Sequence, residues 1–142
     1  MTARLTSDRL DEALGMMERF YAEMDLRFIR KQARQALAEL DGFGGWWFIE
    51  AERKAVGYFV LTIGYSLEFG GRFVLLDEFF VEREWRGRGL GAAAMERILE
   101  EAEAMGASAV HLEAEGHVRE FYRRSGFAVR GREMMTRWIR SG

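Results

Sequence analysis

Between Phe79 and Ala92 the chain reads Phe-Phe-Val-Glu-Arg-Glu-Trp-Arg-Gly-Arg-Gly-Leu-Gly-Ala. An apolar, β-like run ends, a glycine-rich turn follows, and a helical pattern begins. Gly87, Gly89 and Gly91 have no side chains, so backbone N–H groups can converge there on an anion. A helix opening at Gly89 adds the unsatisfied N–H groups of its first turn and the positive end of its dipole. Arg83, Arg86 and Arg88 surround the same point. The chemistry these residues describe is a cradle for a pyrophosphate. The dinucleotide-binding loop needs Gly-x-Gly-x-x-Gly, and the spacing here is Gly87-x-Gly89-x-Gly91. The ATP-binding loop needs Gly-Lys-Ser/Thr, which this turn lacks. An arginine–glycine segment for RNA is repetitive and disordered, whereas this turn sits inside a strong strand–helix pattern.

The elements that position this turn follow from periodicity. Leu5 ends a short first strand, and Thr6-Ser7-Asp8 is a helix start. Leu10, Leu14, Met17, Tyr21 and Met24 recur at three- and four-residue steps, as on an amphipathic helix. A second helix holds Phe28, Ile29, Ala33, Ala36, Leu37 and Leu40, and residues 41–45 break it. Residues 46–50 and 56–63 read as a hairpin across the charged Glu52-Arg53-Lys54. A turn over residues 66–71, cornered at Gly70-Gly71, leads into the longest β-like run, Phe73 to Val81. The long helix from Gly89 carries Leu90, Ala94, Met95, Ile98, Leu99, Ala102 and Met105 on its apolar stripe, and Gly106 stops it. A short strand over 109–112, a short helix around 118–124 closed by Gly126, and strands over 127–129 and 134–139 complete the pattern. Mixed strands and helices in this order predict an α/β layered fold around one sheet.

Composition removes several function classes. A chain of 142 residues is the size of one ordinary domain, so a single domain over residues 1–142 is expected. The hydrophobic fraction of 49% and charged fraction of 31% are those of a globular chain and not a disordered one. Net charge is -2, which argues against a protein that coats nucleic acid or an acidic membrane. With no cysteine and two histidines, a disulfide framework, a Cys nucleophile and a His-rich metal centre are not expected. No apolar run is long enough to span a bilayer, and the start lacks an apolar signal core, so a cytoplasmic location is expected.

With these elements in place the turn becomes specific. Arg86-x-x-Gly89-x-Gly91 resembles the Arg/Gln-x-x-Gly-x-Gly/Ala motif that GNAT-type acetyltransferases carry between their fourth strand and third helix. Leu75-Leu76-Asp77-Glu78-Phe79-Phe80-Val81 resembles the fourth strand of that family. Phe121-Tyr122-Arg123-Arg124-Ser125-Gly126-Phe127 resembles its Phe/Leu-Tyr-x-x-x-Gly-Phe segment. The three motifs cover the second half of the chain in the family's order, and the first half matches in element order only.

The resemblance implies the acyl-CoA N-acyltransferase fold: a mixed, mostly antiparallel sheet of six to seven strands, flanked by about four helices, with its central strands splayed at a bulge. It implies acetyl-CoA as donor and CoA as product. Arg86, Gly87, Arg88, Gly89, Leu90, Gly91 and Ala92 would hold the pyrophosphate. Phe79, Phe80 and Val81 would line the pantetheine arm, whose amides pair with strand backbone. An alkyl amine near pKa 10.4 is protonated at neutral pH and must lose a proton before it attacks the thioester. Asp77 and Glu78 are the candidate bases, with Asp77 aligned to the family's glutamate. Tyr122 is the candidate acid for the departing thiolate. One departure is clear: relatives carry an Asn ahead of the Phe-Tyr pair, and this chain has no asparagine. Glu115 falls nearest that place, and His117 follows it.

The acceptor wall is expected from the first two helices and the turn near Glu68, where Tyr21, Glu23, Asp25, Tyr65 and Glu68 suit a cation. This gives a small-molecule primary amine as acceptor, with a protein or peptide amine as the alternative. No nucleic acid or membrane partner is expected. Residues 133–139 either close the sheet or pair with a second copy in a homodimer. A CoA-binding sensor without catalysis is the competing class, and thiol release from acetyl-CoA separates it from an enzyme.

Overall fold

The computed structural model describes residues 1–140. The chain forms two compact units, Met1–Leu112 and a second from Glu113 onward.

The first unit is a five-stranded sheet with helices on its faces. Its strands are β1 (Thr2–Arg4), β2 (Gly44–Ala51), β3 (Lys54–Ser66), β4 (Gly71–Val81) and β5 (Val110–His111), and they lie in that order across the sheet. β1 to β4 are antiparallel to their neighbours, and β5 joins β4 in parallel. The helices are α1 (Leu10–Glu23), α2 (Arg30–Glu39) and α3 (Leu90–Ala104). A 3-10 turn over Ser7–Arg9 precedes α1, so the regular helix begins later than the Thr6-Ser7-Asp8 signal suggests. Gly106, at φ 79, stops α3 as its sequence position requires.

Alternation along the strands splits the core in two. Trp46, Phe48, Tyr58, Val60 and Phe80 face Ala13, Leu14, Met16 and Met17 of α1, with Phe28, Ala33 and Leu37 packed behind. Trp47, Phe59, Leu61, Val74 and Leu76 take the other face, where Ala94, Met95, Ile98 and Ala102 form the buried stripe of α3. β3 and β4 approach closely where the site lies. A Cβ on Gly57 would stand 2.2 Å from the carbonyl oxygen of Phe80, so only glycine fits there.

Two features of β4 shape everything downstream. First, it pairs with β5 only at Val74 and Leu75, then runs on from Leu76 to Val81 with no β5 residue opposite. Beyond Leu75 the β5 side of β4 therefore carries no ladder to β5. Second, the β3–β4 register shifts: Val60 lies opposite Glu78, and Leu61 lies opposite Leu76. Asp77 is the extra residue of a β-bulge. An inserted residue reverses the in–out alternation beyond it. Glu78 and Phe80 are thereby turned to the α1 face, although Val74 and Leu76 before the bulge face α3.

The second unit contains α4 (Arg119–Arg124) after a 3-10 turn over Gly116–Val118. Gly126 follows at φ 95. Residues 127–129 and 134–139, expected as strands, are not strands here, so the sheet has five strands among the described residues rather than six to seven. Their β-branched and aromatic content suits a pleated surface, but a strand exists only where a ladder completes its backbone bonds. Met135, Trp138 and Ile139 are exposed. No helix among the described residues is long and apolar enough to cross a membrane.

Candidate active site

The turn after β4 has the backbone that its glycines suggest. Gly87 and Gly89 lie at φ 78 and 79, in the left-handed region, and a Cβ on either would meet open space. Gly89 is the residue before the first turn of α3. The first intrahelical bond of α3 runs from Ala93 N–H to Gly89 O at 3.1 Å. The amides of Leu90, Gly91 and Ala92 precede it and have no intrahelical acceptor. Donors at a helix start, opened by left-handed glycines, fit a diphosphate.

The arginines of this turn are each tied back to the protein. Arg86 donates Nε–H to Val81 O at 2.8 Å and Nη2–H to Glu23 at 2.5 Å. Arg83 donates to the other oxygen of Glu23 at 3.2 Å. These two cations hold the Glu23 carboxyl below its ordinary pKa. Arg88 bonds Glu84 O at 3.1 Å and stacks on Trp85 at 4.5 Å. Glu23, expected on the acceptor wall, is thus a tether from the last residue of α1 to the cofactor turn.

The bulge gives Asp77 and Glu78 different surroundings. Asp77 is solvent-exposed at the bulge. Glu78 is turned inward, and each of its oxygens accepts a phenol hydroxyl. Tyr58 of β3 donates to Oε1 at 2.6 Å, and Tyr21 of α1 donates to Oε2. Burial pushes the Glu78 carboxyl above its ordinary pKa. The two phenol bonds pull the other way, and the Asp77 charge adds to the rise. Burial, then the Glu78 charge, likewise raises the pKa of both phenols, so they stay protonated. A carboxyl that holds its proton more tightly is a stronger base when ionised.

Phe79 and Val81 lie on the part of β4 that continues past β5, and Phe80 packs inward against Phe20 and Tyr58. Tyr65 and Glu68 stand at the opposite end of β3. Tyr65 pairs with Arg72 and lies five residue steps along β3 from Val60, which stands opposite Glu78; at ~3.3 Å per step that is about 16 Å. The structure therefore gathers Tyr21 with Glu78, ties Glu23 to the cofactor turn, and leaves Tyr65 and Glu68 apart from both.

Tyr58 was not singled out from the sequence. The signal available was an aromatic with a polar tip at an inward position of a strand otherwise apolar there. In the second unit Tyr122 is half-buried, with rings of Phe121 and Phe127 at 5.3 and 5.7 Å, and burial raises its pKa.

Comparison with known proteins agrees with this geometry. The Acetyltransferase (GNAT) family matches the chain over residues 10–127. An uncharacterised N-acetyltransferase of Methanocaldococcus jannaschii is 30% identical over 96% of this chain, which spans 63% of that relative's length. A solved integron cassette protein from the mobile metagenome of the Cole Harbour salt marsh is 30% identical, with TM-score 0.88 over 99% of this chain and 91% of its own. A predicted acetyltransferase of Clostridium acetobutylicum, solved with acetyl-CoA, shares the fold at 14% identity and TM-score 0.84, covering 96% of this chain and 95% of its own. With a family match across most of its length, and with β4 running on past its two-residue pairing with β5, the chain belongs to the acetyltransferase (GNAT) family.

Proposed function

We propose that the protein is an acetyl-CoA-dependent N-acetyltransferase that moves an acetyl group onto a primary amine of a small molecule by direct attack. The observation that carries this reading is the bulge at Asp77. It sets the raised carboxyl of Glu78 on one strand with the open edge of β4 and, just beyond, the glycine turn. In this reading the amides of Gly87 to Ala92 hold the diphosphate of acetyl-CoA. The backbone of Phe79 and Val81 pairs with the pantetheine arm along the β4 edge, and Phe80 backs that strand from within.

Arg83, Arg86 and Arg88 act chiefly as struts that fix the turn, because their guanidiniums are engaged with Glu23, Val81 O, Glu84 O and the Trp85 ring. Glu78 is the base that takes the amine's proton. Asp77, exposed beside it, contributes a negative charge that draws in a cationic acceptor. The acid for the CoA thiolate is assigned to Tyr122 on its motif alone. A thiol near 8.5 can take a proton from a phenol near 10 in a brief local step.

The acceptor class rests on the edge-on rings of Tyr21 and Phe28 with the Asp77 charge near enough to act on Tyr21, a pairing of aromatic and acid that suits a cation. A ribosomal-protein-alanine N-acetyltransferase of Brucella melitensis has the same fold at 19% identity, so peptide amines belong in the test. The test is thiol release from acetyl-CoA over a panel holding a polyamine, an aminoglycoside, amino-acid amides and an alanine-initiated peptide. Turnover is expected with a small amine and not with the peptide. Turnover of the peptide alone would replace the acceptor class. Binding of CoA without turnover of any amine would favour a sensor.

A further inference from the structure

Each oxygen of Glu78 already accepts a phenol hydroxyl, so the two phenols are the groups nearest to hand for passing a proton to this carboxylate. They differ in access. Tyr58 is 0% exposed. It is stacked on Trp46 with ring centroids 4.6 Å apart and planes within 5°, and Phe20 packs edge-on to it at 5.9 Å. Nothing from solvent reaches Glu78 past Tyr58. Tyr21 is only half-buried, in the last turns of α1, where Phe20 and Phe28 hold its ring edge-on at 5.9 and 5.2 Å. Its hydroxyl proton points at Oε2 of Glu78, and the phenol oxygen itself keeps acceptor capacity for an incoming N–H.

We propose that Tyr21 is a catalytic proton relay between the acceptor amine and Glu78, and that Tyr58 is the positioning residue that fixes the carboxylate for it. This rests on the transferase reading above. The acceptor enters as the free amine, its ammonium proton already lost to solvent; in the step, its nitrogen forms a bond to the acetyl carbonyl carbon and gives a proton to Tyr21 Oη. Tyr21 gives its own hydroxyl proton to Glu78 Oε2 at the same time. The carbon–sulfur bond breaks and its electron pair leaves with the thiolate. Tyr21 ends as it began, a neutral phenol, and the proton is held on Glu78. The titratable groups that face Glu78 are Tyr21 from α1, Tyr58 from β3 and Asp77 from its own strand. Burial and the Glu78 charge both oppose a tyrosinate at Tyr21, so the two protons move together.

The experiment compares wild type, Tyr21→Phe and Tyr58→Phe in two settings. In the free proteins, carbon-13 resonances of the Glu78 carboxyl are titrated. Each variant loses one donor to the carboxylate and should raise the Glu78 midpoint, while unchanged midpoints would mean that the phenols do not bind it in solution. In turnover with acetyl-CoA and the best amine of the panel, Tyr21→Phe should lower kcat at least tenfold with KM for acetyl-CoA unchanged. It should also turn a bowed dependence of rate on deuterium fraction, the mark of two moving protons, into a straight line. Tyr58→Phe should keep the bowed dependence and lose less activity. Wild-type kcat in Tyr21→Phe, or a straight line in the wild type, overturns the relay and leaves the transferase reading standing. Failure of the wild type to acetylate any amine removes both.

Discussion

Replacing Glu78 with glutamine is expected to lower kcat by about two to three orders of magnitude, within the usual contribution of a positioned base, while CoA binds as it does to wild type. Glutamine keeps the shape and can still meet both phenols, one through its carbonyl and one through its amide, so the fold around Tyr21 and Tyr58 should persist. What is lost is the proton sink. The pH dependence gives an independent signature. Burial holds the Glu78 carboxyl above its ordinary range. Wild-type kcat/KM should therefore rise with pH through that elevated value, as Glu78 loses its proton and becomes competent. In Glu78→Gln this acid limb should vanish, and any slope that remains belongs to the acceptor's own ammonium. A variant with wild-type kcat and an unchanged acid limb would contradict the assignment. If Asp77→Asn instead abolished turnover, the base would be Asp77.

The second large effect concerns the cofactor turn. Gly89→Ala should weaken CoA binding at least tenfold, about 1.4 kcal/mol, measured by calorimetric titration. Gly89 sits at φ 79, where a side chain costs roughly 1–2 kcal/mol. A Cβ there meets no protein atom within 4 Å, so no clash with the protein adds to the strain, and the proposed reading has it crowd the diphosphate held by the neighbouring amides. Backbone strain alone could also lower affinity by loosening the turn, and Gly70 provides the control. It has φ 81 and equally open surroundings, but lies in the β3–β4 turn at the far end of both strands. Gly70→Ala should cost similar stability and leave CoA affinity unchanged. Equal affinity losses in both variants would mean that the effect is general destabilisation and not the cradle.

How much of this could be read from the sequence depends on how local each signal is. The turn at Gly87–Gly91 was legible because its glycines, its arginines and the helix that follows all lie within a dozen residues. The long helix and its stop at Gly106 were legible for the same reason. The acid–base cluster was only half legible. Asp77 and Glu78 stand out as a pair, but which of them faces inward is decided by the β3–β4 register. A one-residue bulge at Asp77 reverses the faces, and that shift depends on how β3 packs, not on any residue near Asp77 in sequence. Tyr58 was hidden for the same reason: its oxygen matters only once Glu78 is turned toward it.

Tyr65 and Glu68 illustrate the opposite error. They follow the apolar run of β3 and look close to the site, but β3 carries them far along the hairpin from Glu78. The missing strands at 127–129 and 134–139 show the limit of β-propensity, which supplies a fit for a pleated surface and never its partner.

In the proposed reaction, backbone amides after β4 grip the diphosphate of CoA and thereby aim its thioester along the β4 edge toward Glu78. The most direct measurement is an amide-resolved NMR titration of the free protein with CoA. The largest shifts are expected at Gly87 to Ala92, followed by Phe79 and Val81. Saturable binding with those amides unmoved would contradict it.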